Sequence, residues 1–281
     1  MRSKILIPIV LLVLTACNFP FAQTQATPDL VGTRVSQAKT QTATAAMPPQ
    51  QTQQAVASAT SSLSSTPTDT PTGVLTETPT VTPTTSDPAK LLGTPYWDDP
   101  MNDGKAFGLD ASGYNDGYAS FVVSNGAMVM TSLATAYKEW RLTDRSVSNY
   151  YLEGIFKTNS CSGSDQYGLA FRVPDYSSGY GYYLTITCDG KYSILKWDSS
   201  GTSTLINATT SDKLKAGSNQ TNRIGVMVNG SDYTLYFNGE KIQEFNDSAF
   251  GSASKLGVFI TGYNTANFTV DVDKLDLWNL K

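Results

Sequence analysis

The chain has 281 residues, a formal net charge of -4 and no histidine. The acidic balance and the lack of a basic patch exclude nucleic acid as a partner. The missing histidine removes the usual general base at neutral pH, the commonest metal ligand and every serine-histidine-aspartate triad.

In chain order, Arg2 and Lys4 precede a short apolar run from Ile5 to Leu14, the pattern of a secretory signal and too short to span a bilayer. The run ends in Leu14-Thr15-Ala16-Cys17, which resembles the lipobox of bacterial lipoproteins. That resemblance implies a diacylglyceryl group on Cys17, a membrane anchor through that lipid and an extracytoplasmic address. It also gives a fate to one of the three cysteines, an odd number for an exported protein. Residues 1–17 are therefore read as a lipoprotein signal peptide ending at the lipidated cysteine.

Residues 18–90 read as a linker. From Ala22 to Lys90 there is no aromatic residue, Thr, Ser, Gln, Ala and Pro dominate, and Thr-Pro recurs at 66–67, 70–71, 78–79 and 82–83. Such a segment buries too little apolar surface to offset its ordering entropy, so a disordered stalk is expected.

From residue 91 to 281 aromatics are dense, and Gly, Asn, Asp and Ser recur between short alternating runs. Strands are expected at 118–123, 127–132, 138–142, 150–157, 167–173, 182–188, 192–197, 202–207, 223–229, 233–237, 241–245, 256–261 and 268–277, with no helix of useful length. Asn229-Gly230 and Asn238-Gly239 supply the positive φ angles of tight reversals, so 222–245 reads as a three-stranded meander. The whole reads as an all-β, two-sheet sandwich forming one domain, expected as a monomer.

The segments Tyr-Gly-Leu-Ala-Phe-Arg (167–172), Tyr-Tyr-Leu-Thr-Ile-Thr-Cys-Asp-Gly-Lys-Tyr (182–192), 222–240 ending in Tyr-Phe-Asn-Gly-Glu, Leu-Gly-Val-Phe (256–259) and Phe-Thr-Val-Asp-Val-Asp-Lys-Leu (268–275) together resemble the concanavalin A-like lectin/glucanase jelly roll. More narrowly they resemble laminin-G-like and family-16-like modules, whose last strand often carries Phe-Asp-Asn where Val272-Asp273-Lys274 stands here. The resemblance implies carbohydrate as ligand or substrate. Family-16 glucanases carry Glu-x-Asp-x-Glu on one strand, and it is absent: the glutamates of the domain are Glu139, Glu153, Glu240 and Glu244. No catalytic residue is assigned.

Three sites follow from the residues. The strand at 150–157 runs up, that at 167–173 returns and that at 182–188 runs up again. Cys161 and Cys188 therefore meet at one edge, and a Cys161–Cys188 disulfide is expected. Asp99 and Asp103 in the first loop, with Asp110, offer the hard oxygen ligands that calcium takes, although the spacing departs from an EF-hand. If Leu152, Phe156, Leu169, Phe171, Leu184, Ile186, Tyr192 and Ile194 face inward, alternation sends Glu153, Arg172, Tyr183, Thr185 and Trp197 to the opposite face. Gly168 and Ala170 would form a low floor there, with two aromatic plates beside hydrogen-bonding groups, a mixture suited to sugars. Three functions remain open: a glycan-binding module, a structural or protein-interaction surface module, and a glycoside hydrolase-like enzyme.

Overall fold

The computed structural model describes residues 86–251 and 254–280, together with the backbone of Val35–Ser36. Cys17 and, apart from the backbone of Val35–Ser36, the stalk residues before 86 lie outside the described residues. The elements in chain order are β1 (Val35–Ser36), α1 (Pro88–Leu91), β2 (Trp97–Asp99), β3 (Tyr114–Asn115), β4 (Ala119–Ser124), β5 (Ala127–Ser132), β6 (Tyr137–Leu142), β7 (Tyr150–Thr158) and β8 (Gln166–Val173). There follow β9 (Gly181–Thr187), β10 (Lys191–Asp198), β11 (Gly201–Thr210), β12 (Thr221–Asn229), β13 (Asp232–Phe237), β14 (Glu240–Asn246), β15 (Lys255–Thr261) and β16 (Phe268–Asn279). All thirteen expected strands are present, with three short ones added.

The strands form two antiparallel sheets. The first has the order β1-β6-β15-β8-β9-β10-β11; the second has β14-β13-β12-β7-β16-β5-β4-β3, with β2 also on β16. The last two strands occupy interior places: β15 lies between β6 and β8, and β16 between β7 and β5. Alternation turns Leu169, Phe171, Leu184, Ile186 and Ile194 of the first sheet against Leu152, Phe156, Val226, Leu235 and Val270 of the second, all fully buried. Each such side chain contributes about 1.5 to 3 kcal/mol by leaving water. The result is the two-layer sandwich that the strand pattern implied, the jelly roll of the family resemblance.

Register shifts occur in four strand pairs, and two of them redirect side chains that matter here. In β16 the register slips between Val272 and Lys274, so that Val270 and Val272 before it and Leu275 and Leu277 after it all enter the core. In β8 the pairing with β15 slips so that Phe171 and Arg172 both fall between the pairs Ala170–Gly257 and Val173–Lys255, and Arg172 takes a φ of 54°. An extra residue on one strand of a pair reverses side-chain parity beyond it.

The meander forms as expected, with one difference at its first turn. Asn238 (φ 52°) and Gly239 (φ 87°) both adopt the left-handed conformation that a type I′ reversal requires. At the β12–β13 turn only Gly230 (φ 60°) does so, because Asn229 remains in the strand, paired with Asp232.

The connection from β7 to β8 crosses between sheets. It is closed by the Cys161–Cys188 disulfide, whose Cα atoms are 5.5 Å apart. On the outer side of the second sheet the chain before β2 is strapped down. Asp87 caps α1 and accepts two hydrogen bonds from the Arg223 guanidinium at 3.0 Å each, and Trp278 Nε1 donates to Gly93 O at 2.7 Å. Among the described residues no helix is long and apolar enough to cross a membrane.

Candidate functional site

The outward face of the first sheet departs from the usual solvent-facing pattern of polar side chains. Its pairings set out the rows. Trp140 of β6 stands opposite Phe259 of β15, Phe259 opposite Gly168 of β8, and Gly168 opposite Thr185 of β9. The next row runs Leu142, Gly257, Ala170, Tyr183 and Leu195. Gly168, Gly257 and Ala170 thus form a floor nearly without side chains. A Cβ at Gly168 or Gly257 would meet a neighbouring strand's carbonyl oxygen, so the floor cannot readily be raised.

Aromatic rings stand on this floor. Tyr183 packs edge-on against Phe259 at 5.2 Å between centroids, Trp140 against Trp197 at 5.4 Å, and Tyr180 against Trp197 at 5.1 Å. The loop 174–180 between β8 and β9 closes one end. Its Gly179 lies against the Trp140 indole, Tyr183 Oη donates to Gly179 O at 2.6 Å, and Tyr176 Oη donates to Thr143 O at 3.0 Å. The Asp175 carboxylate ties the loop by accepting from the backbone N–H of Ser177 and of Ser178, each at 2.8 Å. Hydrogen bonds from Ser177 foremost hold its pKa low. Along β10 the face is more open, since Ser193, Leu195 and Trp197 are half-buried.

Lys138, in the strand position before Trp140 on the same face, extends its side chain over these rings. Its Nζ lies 4.4 Å from the Tyr183 centroid and 5.2 Å from that of Phe259, with the residue only 5% exposed. Burial lowers its pKa from 10.5 to about 8.

Of the expected sugar-binding residues, the structure brings together Tyr183, Thr185 and Trp197 on this face and places the other two elsewhere. The bulge in β8 turns Arg172 inward with Phe171. There its Nη2 donates to Gly230 O at 2.6 Å, beside the phenols of Tyr150 and Tyr233. Glu153 belongs to β7 in the second sheet and faces that sheet's outer side. It accepts from Tyr151 Oη at 2.6 Å and from Arg223 Nε and Nη2 at 2.9 Å each. Alternation gave its facing within the strand, but not which sheet the strand joins.

Lys138, Trp140 and Phe259 escaped the sequence reading. In Lys138-Glu139-Trp140-Arg141-Leu142 the charged pair Glu139 and Arg141 faces inward, where the Arg141 guanidinium lies 3.3 Å from the Tyr114 centroid. Polarity therefore points to the wrong face of this strand.

The three aspartates read as calcium ligands do not converge. Asp99 is buried and accepts from Met101 N–H at 2.8 Å, its pKa raised mainly by desolvation. Asp103 pairs with Lys105, and Asp110 accepts from Ser112 N–H at 2.8 Å. Among the described residues no group of three or more carboxylate or thiol side chains is placed to hold a metal ion. Each carboxylate instead closes its own turn.

The model of the family described as "3-keto-alpha-glucoside-1,2-lyase-like domain" matches residues 97–266. A comparison with curated proteins found no match. Among solved structures the chain is similar to carbohydrate binding module CBM66 from Bacillus subtilis (14% identity, TM-score 0.45, covering 53% of this chain and 86% of that one). It is similar also to a protein of unknown function with a galectin-like fold from Bacillus subtilis (10% identity, TM-score 0.48, 66% and 96%). A third is the VIP36 exoplasmic/lumenal domain in a calcium- and mannose-bound form (11% identity, TM-score 0.44, 58% and 81%).

Proposed function

This chain belongs to the 3-keto-alpha-glucoside-1,2-lyase-like domain family, a jelly-roll family of the concanavalin A-like kind, and from that premise we propose that the outward face of its first sheet binds carbohydrate. One observation carries the reading: Trp140, Tyr183, Trp197 and Phe259 are gathered on a face that a sandwich ordinarily presents to water. Flat rings receive the C–H faces of a sugar, and the glycine-alanine floor lets Tyr183 and Phe259 lie low on the sheet beside the half-buried Trp197. The half-buried edge at Ser193, Leu195 and Trp197 is the side from which an oligosaccharide would approach.

Binding is preferred to turnover because the outward residues of β6, β15, β8, β9 and β10 include no aspartate or glutamate between Lys138 and Trp197. The paired carboxylates of glycoside hydrolysis have no place there. A specific observation favours the alternative of a non-catalytic surface module: Trp140 and Tyr183 are 0% exposed, as rings that merely complete a second small core would be.

A glycan array probed with the full chain and with Trp197→Ala separates these readings. Binding that falls about tenfold or more in the variant supports the site. Binding that the variant leaves intact removes this face from consideration, and no binding to any glycan favours the surface module. Turnover of a bound oligosaccharide would establish an enzyme. The cellular side of the proposal is lipid anchoring at Cys17, outside the cytoplasm. Cys17→Ala should release the protein from the membrane fraction, and its retention there would contradict the anchor.

A further inference from the structure

Among the described residues, four hydrogen-bonding groups on the candidate face have no partner. Thr185 Oγ1, Thr261 Oγ1 and Trp140 Nε1 are buried and make no hydrogen bond to a described residue. The Lys138 ammonium rests on two aromatic faces, and no described residue offers it a hydrogen-bond acceptor or an ion pair.

These groups lie along one face. Ile260 pairs with Glu139, so Thr261 follows in register beside Lys138. Phe259, Gly168 and Thr185 continue the row that starts at Trp140. With strands about 4.8 Å apart, Trp140 and Thr185 stand three strand steps, about 14 Å, from each other, the span of about three sugar rings, while Lys138 and Thr261 are on adjacent strands. Trp140 Nε1 and the ammonium can only donate, and the two hydroxyls can donate as readily as accept.

A buried donor without an acceptor loses its water and recovers nothing inside the protein, and a buried ammonium without a counter-charge loses far more. Of these groups Lys138 and Thr261 are nearest to each other, on adjacent strands of the face. The face also carries no carboxylate of its own that would repel an anion.

We infer that the oligosaccharide taken by this face is acidic, and that its carboxylate or sulfate group is seated by the Lys138 ammonium. The inference rests on the carbohydrate-binding reading and narrows it. A neutral sugar offers hydroxyls that Thr185 and Thr261 could engage, but it leaves the ammonium unsatisfied. An anion neutralises it where the surrounding dielectric is low and the pairing is strong.

The test is calorimetric titration of the full chain with three oligosaccharides of equal length: a uronic acid oligomer, a sulfated oligomer and a neutral one. An acidic oligomer should bind at least about tenfold more tightly than the neutral one, the value of a charge-assisted hydrogen bond. Which of the two acidic oligomers binds identifies the anion. Lys138→Met, which keeps the length and apolar body of the side chain, should erase that preference while its thermal unfolding midpoint does not fall. Equal affinity for neutral and acidic oligomers, or a preference that survives in Lys138→Met, overturns the inference and leaves carbohydrate binding standing. Failure to bind any of the three, or any glycan on the array, overturns both.

Discussion

Lys138→Met tests the buried ammonium without any ligand. Lowering the lysine pKa from 10.5 to about 8 is a displacement of roughly 2.5 units, and at about 1.4 kcal/mol per unit it places the cost to the folded state near 3 kcal/mol. The sign follows from linkage. Below about pH 8 both folded and unfolded states carry the proton and the full cost is present; between about 8 and 10.5 the folded state gives up its proton and the cost shrinks; above 10.5 both are neutral and it is gone. Lys138→Met should therefore be more stable than the parent at pH 7 by up to about 3 kcal/mol, or about 6 to 12 °C in melting temperature for a domain of this size. That advantage should decline as pH rises through 8 to 10.5. Urea denaturation of both proteins across pH 7 to 10.5 provides the measurement. Buried tyrosines that do not touch Lys138, such as Tyr167, whose pKa is pushed up by desolvation, destabilise the fold at alkaline pH in both proteins, and the difference curve cancels them. A variant less stable than the parent at pH 7, or a difference that does not change with pH, would refute the reasoning.

Three further outcomes follow from the fold. Breaking the Cys161–Cys188 bridge by Cys161→Ser should lower stability by about 3 to 4 kcal/mol, seen as a shift of the urea midpoint that added reductant reproduces in the parent. Arg223→Leu removes the cation between Asp87 and Glu153; because Arg223 is partly exposed the loss should be about 1 to 2 kcal/mol, with limited proteolysis newly cutting the segment 86–96. Gly179→Ala puts a methyl group into the Trp140 indole at a residue with φ 64°, so about 1 to 3 kcal/mol of stability and the near-ultraviolet signal of the tryptophans should both be lost.

Much of the architecture was legible because period-two alternation is a direct imprint of a half-buried strand. Leu152, Phe156, Leu169, Phe171, Leu184, Ile186, Tyr192 and Ile194, read as inward from spacing alone, all lie in the core. The disulfide was legible for a related reason, since the direction of successive strands fixes which ends meet. The site was only partly legible. Tyr183, Thr185 and Trp197 sit in strands that keep strict alternation, so their facing could be counted. Arg172 sits in a bulge, and a bulge is decided by the partner strand β15, far away in sequence. Glu153 was assigned to the wrong layer because local pattern carries no information on where a connection crosses between sheets. Glu139 and Arg141 were hidden in a different way: two opposite charges can be buried together, and composition alone cannot distinguish that from a solvent-facing pair. The clamp of Arg223 on Asp87 joins the meander to a stretch whose composition reads as linker, a contact visible only in three dimensions.

The interior positions of β15 and β16 have a consequence for the order of events on the ribosome. Until Lys255–Thr261 is made, β6 and β8 have no common neighbour; until Phe268–Asn279 is made, β5 and β7 have none. Each layer is thus two separate pieces for most of synthesis, and the final strands must be threaded between edges that have waited with open hydrogen-bonding groups. A nascent chain stalled before residue 255 should display four such edges and engage chaperones, and its release should be followed by slow closure governed by long-range pairing.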